Sequence, residues 1–278
     1  METKKLQQIA NEVRKSIVTE VYCAGAAHPG GSLSLADVLT YLYFEEMNTD
    51  PSDPGAPDRD RLVLSKGHAS PALYAVLAEK GFIPKEDLKT LRKIDSYLQG
   101  HPDMKHTSGL DMSTGSLGQG ISAGVGMALA AKMDGKNYRT YVICGDGEME
   151  EGQIWEAMMF AGHHRLDNFV VIIDVNELQI DGTLDQVVDP RPLDKKTEAF
   201  GFHTITADGH DMDQLRKAFR EAREIKGQPS AIILNTVKGK GVSYMENQVG
   251  WHGKAPDDKQ YEQAMNELRE AGEALCQK

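Results

Sequence analysis

Residues 139–182 (RTYVICGDGEMEEGQIWEAMMFAGHHRLDNFVVIIDVNELQIDG) constrain the fold more than any other stretch of the chain. Tyr141, Val142, Ile143 and Cys144 form a short apolar run, the pattern of a strand buried on both faces. Gly145, Asp146 and Gly147 follow where that strand ends. Residues 149–164 have helical length and spacing, and 169–173 form a second apolar run that closes on Asp174, Val175 and Asn176. Thirty residues separate Asp146 from Asn176, room for one turn, one helix and one strand, so the two runs are expected to be neighbouring parallel strands. An acid and an amide then share the sheet edge at which open α/β sheets bind ligands.

That arrangement suits a metal that bridges protein and diphosphate. The glycines let the backbone approach a bulky polar ligand, and the N-terminus of the following helix favours phosphate. Asp146 offers a hard carboxylate oxygen and Asn176 a neutral amide oxygen. A backbone carbonyl in the loop after Asn176 would complete the protein's share, with phosphate and water filling the rest of a six-fold oxygen shell. Gly-Asp-Gly alone is most often only a turn; the distance to Asn176 gives it weight.

Elsewhere the chain alternates helices with short apolar strands. Helices are expected over 6–24, from a Ser34 cap through Met47, and over 71–80, 86–93, 121–132, 212–225 and 257–271; further strands over 61–64, 202–206 and 230–234. Residues 25–32 (GAAHPGGS), 48–60, 97–114, 183–194 and 235–253 read as loops, being rich in Gly, Pro and Asp or long and irregular. The pattern predicts one α/β domain spanning 1–278, with a doubly wound, mostly parallel sheet and helices on both faces. The helix over 121–132 is lined with small residues and is expected to be buried, or packed closely at a subunit contact.

A formal charge of −11 argues against nucleic acid or an anionic membrane as partner. No apolar run approaches a membrane span, and the charged N-terminal helix lacks the features of a signal peptide. Cys23, Cys144 and Cys276 have no metal-like spacing and read as free thiols, so a reducing, cytoplasmic location is expected.

Four of the nine histidines, His28, His68, His101 and His252, lie in Gly- or Pro-flanked loops. Imidazole binds phosphate and hydroxyl oxygens and exchanges protons near neutral pH. With the GDG…N spacing, LQIDG and STGSLGQGISAGVGMA, the motifs AAHPGGSLS, LSKGHASPALY, QGHPD and WHGKAP make nearly the whole chain resemble transketolase, specifically its N-terminal, diphosphate-binding domain. The resemblance implies thiamine diphosphate as cofactor and Mg²⁺ or Ca²⁺ as the bridge. It implies Asp146, Asn176 and the Leu178 carbonyl as metal ligands. Gly147 would offer its N–H to phosphate, and Gly115 and Leu117 would touch the thiazolium half through backbone atoms. His68, His252 and Lys238 would line the diphosphate and the reaction centre, while His28 and His101 would bind the sugar. Lys240 and Lys254 are weaker candidates. Glu151 is either a solvated acid in a helix's first turn or the family's acid at a dimer contact. Val175 departs from thiamine enzymes that carry a second Asn there. His106, His163, His164, His203 and His210 match no such motif and are expected to be structural or exposed.

A whole transketolase is more than twice this long. The domain that holds the aminopyrimidine ring and its activating Glu has no counterpart here. The chain therefore resembles the N-terminal subunit of a split transketolase, transferring a two-carbon unit between sugar phosphates together with a separate pyrimidine-binding chain, two of each. The nearest alternatives are another two-chain thiamine enzyme of the 2-oxo-acid dehydrogenase type and a 1-deoxyxylulose-5-phosphate synthase-like enzyme. The histidine motifs favour sugar chemistry over 2-oxo-acid decarboxylation. A non-catalytic scaffold subunit would show eroded site residues.

Overall fold

The apolar runs become strands of one parallel sheet. A computed structural model describes residues 1–277. In chain order come helices Thr3–Ala24 (α1), Pro29–Leu33 (α2) and Ala36–Tyr41 (α3), strand Arg61–Leu64 (β1) and helices Ser70–Lys80 (α4) and Gln119–Met133 (α5). Strand Thr140–Gly145 (β2), helix Gly152–His163 (α6), strand Phe169–Val175 (β3) and helix Leu193–Ala199 (α7) follow. Strand His203–Asp208 (β4), helix Met212–Glu224 (α8), strand Ser230–Asn235 (β5) and helix Asp258–Gln277 (α9) close the order. The strands run β1-β2-β3-β5-β4, all parallel. β2 and β3 are neighbours, with Gly145 opposite Asp174, so the Asp146 and Asn176 ends lie side by side as expected.

Alternation along each strand sends side chains to two cores. Leu62, Leu64, Tyr141, Ile143, Val170 and Ile172 pack under α1, α3, α4 and α8. Val63, Val142, Cys144, Val171 and Ile173 pack under α5 and α6. Helices therefore cover both faces, as the sequence predicts. Burial on both sides also explains why the central strands read as continuous apolar runs.

Several local expectations are corrected. The stretch 25–32 is not all loop: Pro29 starts one buried helical turn, α2. Proline's fixed φ suits a first helical position, and close packing overrides glycine's poor propensity. A Cβ on Gly30 would lie 2.9 Å from the Trp251 carbonyl oxygen. Ser34 does not N-cap the following helix but closes α2; its hydroxyl donates to Asp174 Oδ2 at 2.8 Å, with Gly31 O also near at 3.1 Å. The helix expected through Met47 is α3 followed by a wider π turn, Leu42–Glu46, in which Met47 N–H donates to Leu42 O. The first turn expected of the helix after Asp146 is a tight 3₁₀ turn, Gly147–Glu150, separated from α6 by the extended Glu151. A short helix, α7, begins within the stretch read as loop over 183–194. One side of α5 is open: Gly126 and Ala130 are exposed while Gly124, Val125 and Ala128 are buried.

Candidate active site

The C-terminal ends of β1, β2 and β3, together with the loops after α1 and β5, enclose a cavity of about 660 Å³. Every residue singled out from the sequence as a principal site residue lines it: His28, His68, His101, Gly115, Leu117, Asp146, Gly147, Glu151, Asn176, Leu178, Lys238 and His252. The two weaker candidates do not. Lys240 lies 3.6 Å from Glu246, and the Lys254 ammonium sits 5.0 Å over the Trp251 ring.

The floor is the pair of strand ends. Asp146 is only 3 % exposed. Its carboxylate accepts from Gly147 N at 2.8 Å and reaches across to Glu177 N at 2.6 Å, beside Asn176. Burial, then the nearby Asp174 charge, push its carboxyl up to about 6. The Leu178 carbonyl accepts from the Lys238 ammonium at 2.9 Å. That ammonium is itself buried, and burial followed by the Lys66 charge lowers it to about 8.

Above the floor, three imidazoles form a near-equilateral cluster. The ring centres of His28, His68 and His252 lie 5.3–5.4 Å apart. Each is held below its usual range by burial first, and then by neighbouring basic groups: Lys66 for His68, Lys238 for His252, His101 and Arg92 for His28. His252 falls to about 3. These rings are therefore neutral at pH 7. The Lys238 ammonium is 2.9 Å from His252 Nδ1 and can only donate to it, which leaves the ring proton on Nε2. His28 Nδ1 is buried without a hydrogen-bond partner among the described residues. His101 stands at the rim, its ring against Gly115, where a Cβ would approach to 3.3 Å. By contrast, His210 bridges Asp37 and Val237 N, His203 meets Glu221 and His106 meets Asp103, structural or surface contacts away from the cavity.

Three groups escaped the sequence reading. Lys66 and Asp174 form a buried ion pair beneath the cavity, and Ser34, Thr236 and Asn176 also donate to Asp174. Glu148 ties the two glycine turns together: it accepts from Ser65 Oγ at 2.5 Å, Gly118 N at 2.9 Å and Gly145 N at 3.1 Å. A Cβ on Gly118, at φ +81°, would meet the Glu151 side chain at 2.8 Å, so this turn needs glycine. The loop after Asn176 closes one wall with Gln179, Ile180 and Val187. A signal for Asp174 did exist: a charged residue inside an apolar, doubly buried strand, two positions from Asn176 and hence on its face.

The donors fit a hard cation bound with a diphosphate. Among the described residues, no cluster of three or more His, Cys, Asp or Glu side chains could hold an ion by itself. What the two strand ends and the loop after them offer is the Asp146 carboxylate, the Asn176 amide oxygen and the Leu178 carbonyl, the incomplete oxygen set that Mg²⁺ or Ca²⁺ completes with phosphate and water. The raised Asp146 carboxyl and the partnerless His28 Nδ1 are the groups that such a ligand would satisfy.

Comparisons with known proteins agree with this geometry. The family model described as "Transketolase, thiamine diphosphate binding domain" matches residues 5–271. The chain is 49 % identical over 267 residues to the 6-deoxy-6-sulfo-D-fructose transketolase subunit of Clostridium sp. (strain MSTE9), covering 96 % of this chain and 97 % of that one. It is 46 % identical over 275 residues to an apulose-4-phosphate transketolase subunit of Phocaeicola vulgatus, covering 99 % and 97 %. The crystal structure of transketolase from Campylobacter jejuni superposes with a TM-score of 0.92 at 35 % identity, over 97 % of this chain but 43 % of that longer one. A parallel sheet carrying glycine-flanked Asp146, Asn176 and the four loop histidines at one edge, matched over nearly its whole length, places the chain in the transketolase family, as its thiamine-diphosphate-binding part.

Proposed function

We propose that the chain is the diphosphate-binding subunit of a two-chain transketolase, which moves a two-carbon ketol unit from a ketose phosphate to an aldose phosphate. The observation that carries this reading is the convergence of Asp146, Asn176, Leu178, Lys238 and all four loop histidines on one cavity. Relatives of the same length are named as transketolase subunits, which supports a separate partner chain. That partner would supply the pyrimidine-binding domain, and two copies of each chain would complete two active sites. Cytoplasmic residence belongs to the same reading.

Asp146, Asn176 and the Leu178 carbonyl would hold Mg²⁺ or Ca²⁺. Lys238, His68 and His252 would face the diphosphate, and Gly115 and Leu117 would seat the thiazolium through their backbones. Gly147, whose N–H here donates to the Asp146 carboxylate, would offer that N–H to phosphate. Glu151, exposed at the cavity edge, suits a contact between protomers. When bound, thiamine diphosphate supplies the nucleophilic carbon that accepts and returns the two-carbon unit.

The chain's own residues prepare the surroundings. Neutral His28, His68 and His252 can each donate through one ring nitrogen and accept through the other, which protonated rings could not. Burial, helped by the basic groups nearby, keeps them neutral, and those groups draw in anionic sugars. His101 and His28, which both line the cavity, would bind the reacting hydroxyls and carbonyl of a sugar and hand protons to them.

The test is a pull-down from the source cell, followed by a donor–acceptor screen on the recovered complex. The screen includes 6-deoxy-6-sulfo-D-fructose and apulose 4-phosphate, the compounds named for two relatives. Ketol transfer by the complex and none by the single chain is expected; full activity of the single chain would refute the two-chain reading.

A further inference from the structure

We propose that Asp174 is a positioning residue that fixes the side-chain amide of Asn176 with its oxygen, not its nitrogen, toward the cation site. The proposal rests on the reading of Asp146, Asn176 and Leu178 as cation ligands. Asp174 itself is 0 % exposed and contributes no surface to the cavity.

Its Oδ2 accepts from Asn176 Nδ2 at 3.1 Å, and Asn176 Oδ1 accepts from Leu178 N at 3.3 Å. Turning the amide over would set its NH₂ against the Leu178 N–H and its oxygen against the Asp174 carboxylate. Both contacts would be mismatched, donor to donor and acceptor to acceptor. In the observed orientation Oδ1 keeps a lone pair free for the cavity that Asn176 lines. The carboxylate cannot swing away to permit the flip. Lys66 Nζ and Ser34 Oγ also hold Oδ2, and Thr236 Oγ1 holds Oδ1. These anchors come from the end of β1, the junction of α2 and α3, and the end of β5. Asn176 directly follows the last residue of β3, two positions from Asp174, so the two side chains meet on one face. An outer acid thus selects the ligating atom of an inner amide, the orienting role that outer-shell partners play around metals.

The test compares wild type, Asp174→Asn and the swap Asp174→Asn/Asn176→Asp in the two-chain complex. Binding of thiamine diphosphate is measured by calorimetry with and without Mg²⁺. Asp174→Asn is expected to weaken Mg²⁺-dependent binding by about 10- to 100-fold, the usual effect of losing an outer-shell partner. The swap is expected to recover most of that loss, because a carboxylate at 176 presents oxygen either way round. A merely structural Asp174 predicts no recovery, since in both variants Lys66 lacks its counter-charge and Lys66, Ser34 and Thr236 have one acceptor oxygen at 174 instead of two. Wild-type affinity in Asp174→Asn, or a swap no better than the single variant, overturns the proposal alone. Absence of any Mg²⁺ dependence in wild type overturns the cation reading with it. A second measurement needs no folded Asp174 variant: the Asn176 side-chain NH₂ resonance, assigned by its loss in Asn176→Ser, should exchange slowly with solvent. Rapid exchange would contradict the bond to Asp174.

Discussion

Removing the charge of Asp146 should stabilise the free protein while destroying its ability to hold a cation. Burial and the Asp174 charge raise this carboxyl from 3.8 to about 6. The folded chain therefore takes up its proton more readily than the unfolded chain. The group is destabilising above pH 6, and that cost fades as pH falls toward 3.8. A rise of that size corresponds to about 3 kcal/mol at neutral pH. Asp146→Asn removes this cost but forfeits one of the two backbone N–H bonds to the carboxylate, worth about 1 kcal/mol. The net gain at pH 7.5 is about 2 kcal/mol, or about 4 °C in Tm for a chain of this length. Urea and thermal unfolding of both proteins in chelator, at pH 7.5 and pH 5, check this. The underlying charge cost should fall by about half at pH 5, where folded Asp146 is mostly protonated. A variant no more stable than wild type at pH 7.5, or a gain that does not depend on pH, would refute the reasoning.

Three further outcomes follow from the same geometry. Lys66→Met leaves the Asp174 carboxylate buried without its counter-charge and should cost about 3–5 kcal/mol in urea unfolding; a loss under about 1 kcal/mol would contradict the buried pair. His252, held to about 3 by burial and Lys238, should show a flat imidazole chemical shift between pH 5 and 8, and a titration near its usual midpoint would sink the neutral-ring account. Glu20 is 0 % exposed and neither of its carboxylate oxygens has a hydrogen-bond partner among the described residues, so Glu20→Met should raise stability at pH 7 by about 1–3 kcal/mol, and a destabilised variant would contradict this.

The sheet edge was legible in sequence because its signals are local. An apolar run ending in Gly-Asp-Gly and another ending in Asp-Val-Asn fix where two strands stop, and helix-length spacing makes them parallel neighbours. The loop histidines stood out by their glycine and proline neighbours. What stayed hidden depends on contacts between distant segments. Lys66 and Asp174 lie 108 residues apart, and nothing near either one in the chain announces the other. Ser34 looked like a helix cap because serine usually serves there, yet its hydroxyl turns inward to the same carboxylate. α2 forms from Pro29 and two glycines only because the Trp251 and Lys238 loop packs over it. The lysines after β5 show the limit most clearly. Lys238, Lys240 and Lys254 share one Gly-rich stretch, but only Lys238 turns into the cavity, a choice set by folding rather than by composition.

The central claim is that two strand ends anchor a diphosphate through a cation. Titration calorimetry of thiamine diphosphate into the two-chain complex, with and without Mg²⁺, tests it most directly when wild type is compared with Asp146→Ala. Binding that requires Mg²⁺ in wild type and disappears in Asp146→Ala is the predicted result. Unchanged affinity in Asp146→Ala, or binding indifferent to the cation, would contradict the account.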